Sequence, residues 1–320
     1  MNDLPATADV VVVGGGIIGL STALELAKAG FKVCVVERGE AGRQCSWAGG
    51  GMLATLPPDE PAPEIVPLLQ ESLRLYPDYC ARLAQDTGID PEYWGCGAWL
   101  FRGATERWLP DLAQVRNPRL LKALKRALTQ IGVSVVEDTN AIGWLAKGDR
   151  LDGVHTSRGS IACKFAVLAA GAWSSDLAPF AIKPVKGEML LLRAKPGLLG
   201  HIRINEHAYL IPRRDGLILL GSTVENAGFD AAATPAARAL LLQRLEFLWP
   251  AGKELKVEQH WAGLRPRPDG VAPVIAAANN MRGLFYNTGH FRLGITLALA
   301  SARRITAMMI PASQEVERGP

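Results

Sequence analysis

The amino-acid sequence predicts an α/β protein, α+β overall, that combines a parallel sheet with an antiparallel one. Four consecutive valines at residues 10–13 are typical of a strand that is buried on both faces of a parallel sheet. A glycine-rich turn, an amphipathic helix closed by Gly30 and a strand ending in Glu37 follow it. Short apolar runs in the later half predict an antiparallel sheet from strands at 184–192, 203–211, 217–222 and 257–261.

The turn after the first strand fits the pattern G-x-G-x-x-G at Gly14, Gly16 and Gly19. Gly14 allows a tight turn, Gly16 lets the backbone approach a pyrophosphate, and Gly19 lets the helix pack close to the strand. The helix N-terminus offers free N–H groups and a partial positive charge to phosphates. Glu37 can accept hydrogen bonds from both ribose hydroxyls and would repel a 2′-phosphate. The motif therefore predicts a bound dinucleotide, either NAD or FAD.

Composition and charge exclude several classes of protein. The 320 residues are 48% hydrophobic and 21% charged, which is typical of a globular protein of one or two domains. A net charge of +4 without a dense Lys/Arg tract gives no indication of nucleic-acid binding. The isolated basic pairs are expected on solvated faces; they are Lys125-Arg126, Arg213-Arg214 and Arg303-Arg304. Five cysteines without a C-x-x-C pair predict reduced thiols and a cytoplasmic location, and five scattered histidines predict no metal site. We expect no signal peptide and no transmembrane segment, because the apolar runs are interrupted well short of a membrane span.

Two further stretches favour ligand contact. Residues 45–52 form a glycine-rich loop, for which a backbone contact with a ligand is favoured over a flexible linker. A strand at 161–169 runs into Gly171 and, if it is parallel to the first strand, ends beside Gly14.

The other expected elements are a proline-rich exit from the first lobe at 55–63, a helix at 68–83, an irregular segment at 108–118, a helix at 119–131, a strand at 133–136 that returns to the nucleotide sheet, a hairpin at 143–156, a helix from the N-cap Thr234 to about residue 249, a strand at 284–287, and a turn at 288–296 before a last helix that ends at about residue 309.

The order of these motifs along nearly the whole chain resembles the D-amino-acid oxidase family of FAD-dependent amine and amino-acid oxidases, and most of all its bacterial glycine-oxidase branch of thiamine biosynthesis. The segments that carry the resemblance are VVVGGGIIGLSTALELAKAG with Glu37, SWAGGGML, PRLLKAL, LAAGAWS, KPVKGEML, HAYLIPR, WAGLRP and GHFRLGI. The resemblance implies a Rossmann-like FAD-binding domain of the glutathione-reductase type and a substrate domain built on an antiparallel sheet. The first domain would comprise residues 1–56, 113–180 and 262–320, and the second residues 57–112 and 181–261.

The same resemblance implies FAD rather than NAD, bound without a covalent link. Relatives with covalent flavin attach it through a cysteine in the C-terminal half, and no cysteine follows Cys163 here. The N–H groups at the start of the last helix would stabilise the negative charge of reduced flavin. The residues that the resemblance places along FAD are Gly14, Gly16, Ile17, Ile18, Glu37, Arg38, Ser46, Gly50, Gly51, Met52, Ala141, Gly171, His290, Arg292, Leu293, Gly294, Ile295 and Thr296.

For the substrate, the resemblance implies a small amine that bears a carboxylate. Arg265 would bind the carboxylate with its guanidinium fork, and Tyr209 would hydrogen-bond the same group. His207, Arg292 and Met52 would line the cavity. A hydride would pass from the α-carbon to flavin N5, and the imino acid would hydrolyse to a 2-oxo acid and ammonia, with oxygen as the electron acceptor. No residue is assigned as a general base.

Several alternatives stay open. Tyr209 is also compatible with a core tyrosine, Arg292 with a partner of an acidic surface group, and His290 with a structural turn residue. The sequence is also compatible with a dehydrogenase of D-amino acids or secondary amines that passes electrons to another acceptor. It is compatible as well with a flavoprotein subunit or an inactive binding module. The chain could form a homo-oligomer in any of these cases. The chain is shorter than family members between Trp99 and Asn117, and its glycine run at 49–51, which replaces a more alanine-rich version, predicts a looser loop.

Overall fold

The computed structural model describes residues 3–54 and 63–318, apart from the side chains of Ala312 and residues 314–318. The helices of this part of the chain are α1 (Ile17–Lys28), α2 (Cys45–Ala48), α3 (Val66–Thr87), α4 (Asn117–Gln130), α5 (Pro235–Leu248) and α6 (Gly294–Arg318). The strands are β1 (Val10–Val13), β2 (Val33–Val36), β3 (Met52–Leu53), β4 (Ala98–Arg102), β5 (Thr105–Leu109), β6 (Ala113–Gln114), β7 (Ser134–Val136), β8 (Ala141–Lys147), β9 (Arg150–Thr156), β10 (Gly159–Ala162), β11 (Phe165–Leu168), β12 (Ile182–Arg193), β13 (Ile202–Ile204), β14 (Tyr209–Pro212), β15 (Leu217–Gly221), β16 (Lys256–Pro268), β17 (Val274–Ala277) and β18 (Leu284–Thr288).

The first lobe is built on a sheet in the order β17-β18-β11-β1-β2-β7, parallel except for the pair β17–β18. Its valines explain the unbroken apolar run in the sequence. Val10 and Val12 face the core shared with α1, α3, α4 and α6, whereas Val11 and Val13 face the antiparallel sheet β8–β10. Both faces of β1 are therefore covered, as predicted, and β7 does return to this sheet.

The second lobe is built on a seven-stranded sheet in the order β16-β12-β15-β14-β13-β4-β5. It is antiparallel, as expected, apart from the parallel pair β13–β4. One face packs on α5 through side chains such as Leu190, Leu220 and Leu241. The opposite face carries Met189 and Ile211 and is turned toward Met52 of the first lobe. We call this second face the site face.

Several element boundaries differ from the sequence-based expectation, among them the end of the last helix, which lies at Arg318 and not at about residue 309. The predicted strand at 161–169 is two strands, because β10 pairs with β9 while β11 joins the parallel sheet. The predicted strand at 203–211 is the hairpin β13–β14, since the Asn205 side chain accepts hydrogen bonds from the N–H groups of His207 and Ala208 and turns the chain. The predicted strand at 257–261 extends to Pro268, and the segment 108–118 contains the end of β5 together with β6.

The last helix corrects the expectation that no apolar run approaches the length of a membrane span. Residues 291–311 are long and apolar enough by length and composition, and 56% of that window is buried inside the protein. Leu297, Ala300 and Ile305 lie in the core, where α6 packs against α1 and α3. The apolar character of this helix is therefore explained by its position in the first lobe.

The division into two domains remains our proposal. The boundary between residues 56 and 57, with most of the proline-rich stretch, lies outside the described residues. The boundary between residues 261 and 262 falls inside β16, which runs continuously along the seven-stranded sheet. We propose that β16 belongs to the substrate domain along its length and that the chain returns to the first lobe after it.

Gly19 sets the distance between α1 and β1. A Cβ atom at this position would lie 1.8 Å from the carbonyl oxygen of Gly14, which no real contact permits. We therefore expect Gly19→Ala to lower the free energy of unfolding by at least about 2 kcal/mol, because the helix must move off the strand. Urea unfolding measures this change. Gly143→Ala is the matched control, since nothing lies within 4 Å of its Cβ position; equal losses in the two variants would contradict the packing role of Gly19.

Candidate functional site

Two glycine turns lie side by side at the carboxyl edge of the parallel sheet. β1 and β11 are neighbours, with Val13 opposite Leu168. Gly14 has φ of +110°, and a Cβ atom there would lie 2.4 Å from the carbonyl oxygen of Ala169. The second turn, which leads into Gly171, therefore ends beside the first, as the sequence predicted.

The N-terminus of α1 is arranged for an anion. Gly16 is its N-cap and contributes no side-chain cap. The N–H of Ile17 donates to Ser46 Oγ at 2.9 Å, and the first intrahelical bond runs from Leu20 N–H to the Gly16 carbonyl. The N–H of Ile18 precedes that bond and has no intrahelical acceptor. Free donors and the positive end of the helix dipole thus meet at one place.

Glu37 lies buried at the end of β2 and already binds the backbone. Its Oε2 accepts a hydrogen bond from Gly15 N–H at 2.7 Å, and its Oε1 accepts one from Gly39 N–H at 3.0 Å. An ionised carboxylate offers about four acceptor positions. The two bonds fix its orientation and leave capacity for the hydroxyls of a ribose.

A stack of side chains beside Glu37 joins the two lobes. Arg38 is exposed, and its guanidinium carbon lies 4.2 Å from the ring centroid of Trp173, just after the Gly171 turn. Trp173 in turn stacks on Phe229, in the loop between β15 and α5, with 5.5 Å between ring centroids. Ala141 is buried at the start of β8. The sequence did not predict the part played by Trp173.

The predicted glycine-rich loop begins with the short helix α2 (Cys45–Ala48), and hydrogen bonds anchor it, so both the flexible-linker alternative and the expected looseness are wrong. Asn117 is fully buried and donates from Nδ2 to two carbonyl groups of the loop, at 2.8 and 2.9 Å. Trp261 Nε1 donates to the Ala48 carbonyl at 3.0 Å. A Cβ atom at Gly50 would lie 2.8 Å from Ile211 Cδ1, so the glycine allows the loop to lie directly on the site face.

The turn after β18 closes the same region. Gly289 has φ of +78°, and His290 is buried, with no partner for Nε2 among the described residues. Burial lowers the pKa of His290 to about 3, so its imidazole is neutral near pH 7. Leu293 ends a short 3₁₀ turn, and α6 starts at Gly294 with Ile295 and Thr296. Thr296 Oγ1 donates to the Met52 carbonyl at 3.4 Å, which joins the start of α6 to the glycine-rich loop.

Arg265 and Tyr209 lie on the site face, and each covers a glycine. A Cβ atom at Gly187 would lie 2.1 Å from the Arg265 guanidinium, and one at Gly221 would lie 2.6 Å from the Tyr209 ring. Arg265 donates to Ser222 Oγ at 2.8 Å and to the carbonyl groups of Thr223 and Lys186 at 3.2 and 3.4 Å. These bonds use three of its five N–H donors, and the described residues take up neither the Nε–H nor one Nη2–H. The remaining donors suit a carboxylate.

Three other predicted residues take different positions. Met52 is half-buried next to the core of the site face. His207 is exposed in the β13–β14 turn, and Arg292 is exposed with its guanidinium carbon 5.1 Å from the Phe291 ring centroid. Their contact with a substrate remains a prediction.

A buried ion cluster lies behind Arg265, on the α5 face of the sheet. Lys186 Nζ lies 2.9 Å from Glu188 Oε1, and both side chains are almost fully buried. Glu188 also accepts hydrogen bonds from Thr234 N–H and Oγ1, at 2.8 and 3.0 Å, and its Oε2 lies 2.7 Å from His260 Nε2. Burial acts to raise the pKa of Glu188, but the bonds from Thr234 and the Lys186 ammonium outweigh it and lower that pKa. The cluster fixes the position of Lys186, whose backbone carbonyl accepts a hydrogen bond from Arg265.

Sequence reasoning overlooked Asn117 and the Lys186–Glu188 pair, and its expectation that Arg213 lies on a solvated face is wrong, because Arg213 is buried. A signal existed for two of these: Lys186 and Glu188 are charged residues within a core strand, and Arg213 directly follows the apolar strand β14. Charged residues inside apolar runs are costly to bury unless they are paired or hydrogen-bonded. Their partners come from distant parts of the chain, so the sequence pattern alone could not identify them.

Comparison with known proteins agrees with this geometry. The family model described as FAD dependent oxidoreductase (DAO) matches residues 9–109 and 100–308. Glycine oxidase of Pseudomonas aeruginosa (strain PAO1) is 40% identical over 346 residues, covering 94% of this chain and 94% of that protein. Glycine oxidase of Pseudomonas putida (strain KT2440) is 37% identical over 354 residues, covering 97% of each. The structure of glycine oxidase from Bacillus cereus ATCC 14579 matches with a TM-score of 0.90 at 28% identity, covering 97% of this chain and 96% of that one.

The alignment with the P. aeruginosa protein is longer than the 320 residues of this chain. That relative therefore contains residues without a counterpart here, in keeping with a shortened chain. The segment from Trp99 to Asn117, where we expected the shortening, contains all of the β4–β5 hairpin except Ala98, followed by β6.

The buried pair predicts a pH-dependent effect on stability. Glu188→Gln removes the nearer of the two carboxylates beside the Lys186 ammonium and leaves Glu225 at 3.9 Å, so we expect the free energy of unfolding at pH 7 to fall by about 3 kcal/mol, the lower end of the loss for a broken buried pair. Because the pKa of Glu188 is lowered on folding, its contribution is complete above the ordinary value of 4.5 and is lost as pH falls further. The difference in the free energy of unfolding between wild type and variant, measured with urea, should therefore become smaller below about pH 4.5.

Asp149→Asn is the control for this measurement, because it removes the carboxylate of an exposed ion pair with Arg282. Exposed pairs contribute little to stability, so its effect should be much smaller. A Glu188→Gln variant that is as stable as wild type at pH 7 would contradict the role of the cluster.

Proposed function

Because the chain belongs to the DAO family of FAD-dependent oxidoreductases, we propose a substrate and a reaction for it: oxidative deamination of glycine or another small amino acid. The protein is an FAD-dependent amino-acid oxidoreductase. The proposed products are a 2-oxo acid, ammonia and hydrogen peroxide. The placement of Arg265 and Tyr209 on the site face carries this proposal, because together they would bind a carboxylate next to the glycine-rich loop.

The residues at the sheet edge fit FAD. At the α1 N-terminus the Ile18 N–H and the Ser46 hydroxyl would donate to the pyrophosphate, while Gly14 and Gly16 leave room for it and the Ile17 N–H orients Ser46. Glu37 keeps free acceptor positions for ribose hydroxyls. We place the adenosine end near Arg38, Ala141 and Gly171, and the flavin ring along Gly50, Gly51 and Met52. His290, Arg292 and residues 293–296 would close its pyrimidine end.

Bound FAD supplies the hydride acceptor at N5, and the chain supplies binding and orientation. Arg265 would hold the substrate carboxylate through its remaining donors, and the Tyr209 hydroxyl would donate a second hydrogen bond. The positive charge of Arg265 favours the neutral form of the substrate amine, which is the form that can release a hydride from the α-carbon. Water then converts the imino acid to the 2-oxo acid and ammonia. No general base is required, which agrees with a buried, neutral His290.

We further propose oxygen as the electron acceptor and the cytoplasm as the location. All five cysteines are free in the structure, as expected for a reducing compartment. FAD would be held without a covalent bond, since no cysteine follows Cys163 in the sequence.

The substrate proposal predicts a direct spectroscopic result. Anaerobic addition of glycine, sarcosine or D-alanine to the yellow protein should abolish the absorption band of oxidised flavin, and air should restore it with formation of hydrogen peroxide. If none of the three amines reduces the flavin, the proposed substrate class is wrong. Reduction without peroxide under air would instead indicate a dehydrogenase with another electron acceptor.

Gly187→Ala should separate substrate binding from stability. The new methyl group would collide with the Arg265 guanidinium, which is the mobile end of a flexible side chain. We expect KM for the amine to rise about tenfold, because roughly one charge-assisted hydrogen bond is lost. The free energy of unfolding should change little. Arg265→Ala should lower kcat/KM on the order of a hundredfold or more, because it removes both bonds of the guanidinium fork to the carboxylate.

Steady-state kinetics and urea unfolding of the same preparations measure the two effects, with Gly143→Ala again as the control. An unchanged KM in Gly187→Ala would show that the Arg265 guanidinium does not bind the substrate from this position.

A further inference from the structure

Arg213 is a buried cation that contacts the glycine-rich loop from the side of the second lobe. It is only 6% exposed. Its Nη1 donates to Gln114 Oε1 at 2.6 Å and to the Val115 carbonyl at 2.9 Å, and its Nη2 donates to the Gly50 carbonyl at 2.8 Å. All three acceptors are neutral groups.

The charge of Arg213 has no carboxylate partner within ion-pair distance among the described residues. The nearest acidic groups that act on it, Glu92 and Asp215, both pair with Arg116, at 3.3 and 2.8 Å. Burial lowers the pKa of Arg213 to about 10, with the nearby charge of Arg116 as a second cause, so the guanidinium stays charged near pH 7. Neutral acceptors satisfy its hydrogen bonds but leave its net charge uncompensated inside the protein.

The peptide group between Gly50 and Gly51 is the part of the glycine-rich loop on which this charge acts. Arg213 holds its carbonyl end, while its N–H end belongs to Gly51, which is buried and finds no acceptor among the described residues. Gly51 has φ of +75°, and a Cβ atom there would lie 2.1 Å from the Val115 carbonyl oxygen. The orientation of this peptide is therefore fixed. A charged donor at the carbonyl polarises the peptide and makes its N–H a stronger donor.

We propose that Arg213 is a positioning residue that acts through the Gly50–Gly51 peptide to stabilise negative charge on the flavin ring and so raises the reduction potential of the bound FAD. This inference rests on the proposed placement of Gly50 and Gly51 along the flavin. Oxidation of the amine transfers two electrons and one proton, as a hydride, from the substrate α-carbon to the flavin. The substrate would leave as a protonated imino acid, which carries the positive charge, and the flavin ring would gain one negative charge. A buried cation favours that product over the neutral oxidised ring.

The competing explanation is that Arg213 only ties the loop to β6 and β14. That role needs the fork of hydrogen bonds, whereas the proposed role needs the positive charge. Arg213→Lys keeps the positive charge but replaces the guanidinium fork by a single ammonium group. Arg213→Gln keeps a hydrogen-bond donor and removes the charge. Gln114→Glu places a carboxylate beside Nη1, so it neutralises the charge while retaining the bonds of Arg213, and it gives up only the contact of Gln114 Nε2 with Cys96 Sγ at 3.3 Å.

The test measures the two-electron reduction potential and the affinity for sulfite, an anion that adds to oxidised flavin and leaves negative charge on the ring. Arg213→Gln and Gln114→Glu should each weaken sulfite binding about tenfold and lower the potential by about 30 mV, the equivalent of a tenfold change for two electrons. Arg213→Lys should stay within about threefold of wild type. Arg203→Met is the matched control: this half-buried arginine lies beside Phe101 on a neighbouring strand of the same sheet, and its loss should change neither quantity.

Unchanged potential and sulfite affinity in both Arg213→Gln and Gln114→Glu would overturn the proposal, as would an Arg213→Lys variant that is as strongly affected as Arg213→Gln. If Arg213→Gln does not retain FAD, Gln114→Glu against wild type decides alone, because it leaves the fork in place. Neither measurement uses an amine, so a wrong substrate assignment cannot imitate either outcome.

Discussion

The contact between the two lobes depends on one stretch of backbone, residues 45–54, which forms hydrogen bonds with both of them. Its polar groups are fixed from every side, by Ile17 N–H, the Asn117 amide, the Trp261 indole, the Arg213 guanidinium and the Thr296 hydroxyl. Side chains at Gly50 or Gly51 would collide with Ile211 or with the Val115 carbonyl. The glycine run is therefore a requirement of close packing, and the loop owes its order to bonds supplied by other elements rather than to its own sequence.

The same constraint shapes the site face of the second sheet. Gly187 and Gly221 have no side chains, which leaves space for Arg265 and Tyr209. These long polar side chains can therefore lie flat on a sheet that elsewhere carries apolar residues. On the α5 face of the same sheet, Lys186 and Glu188 are paired and buried. Backbone carbonyls of Lys186 and Thr223 connect the two faces by accepting hydrogen bonds from Arg265. The proposed carboxylate site is thus held by the sheet itself, which keeps its donors oriented before a substrate arrives.

The parts that the sequence predicted are those written in contiguous residues. The valine run, Gly14, Gly19 and the second turn at Gly171 lie in the structure where the motif requires them. Prediction failed where a side chain overrides an apolar run, as Asn205 does between β13 and β14. It also failed where a residue matters through a distant partner: nothing near Asn117 in the sequence indicates that its amide holds the loop at 45–51, and nothing near Gly187 indicates that it makes room for Arg265. Such contacts depend on the relative placement of whole elements.

The two overlooked buried cations differ in a way that packing alone does not explain. Lys186 has the carboxylate of Glu188 at 2.9 Å, so its charge is cancelled within the sheet. Arg213 has only amide and carbonyl oxygens around it, at 2.6–2.9 Å. If stability were the sole requirement, a neutral side chain of similar size would serve at position 213 at lower cost, since burying an unpaired charge is unfavourable. An uncompensated charge becomes favourable when the ligand bound against it turns negative during the reaction. The contrast between these cations therefore supports the proposal that Arg213 acts on the cofactor, whereas Lys186 belongs to the framework of the sheet.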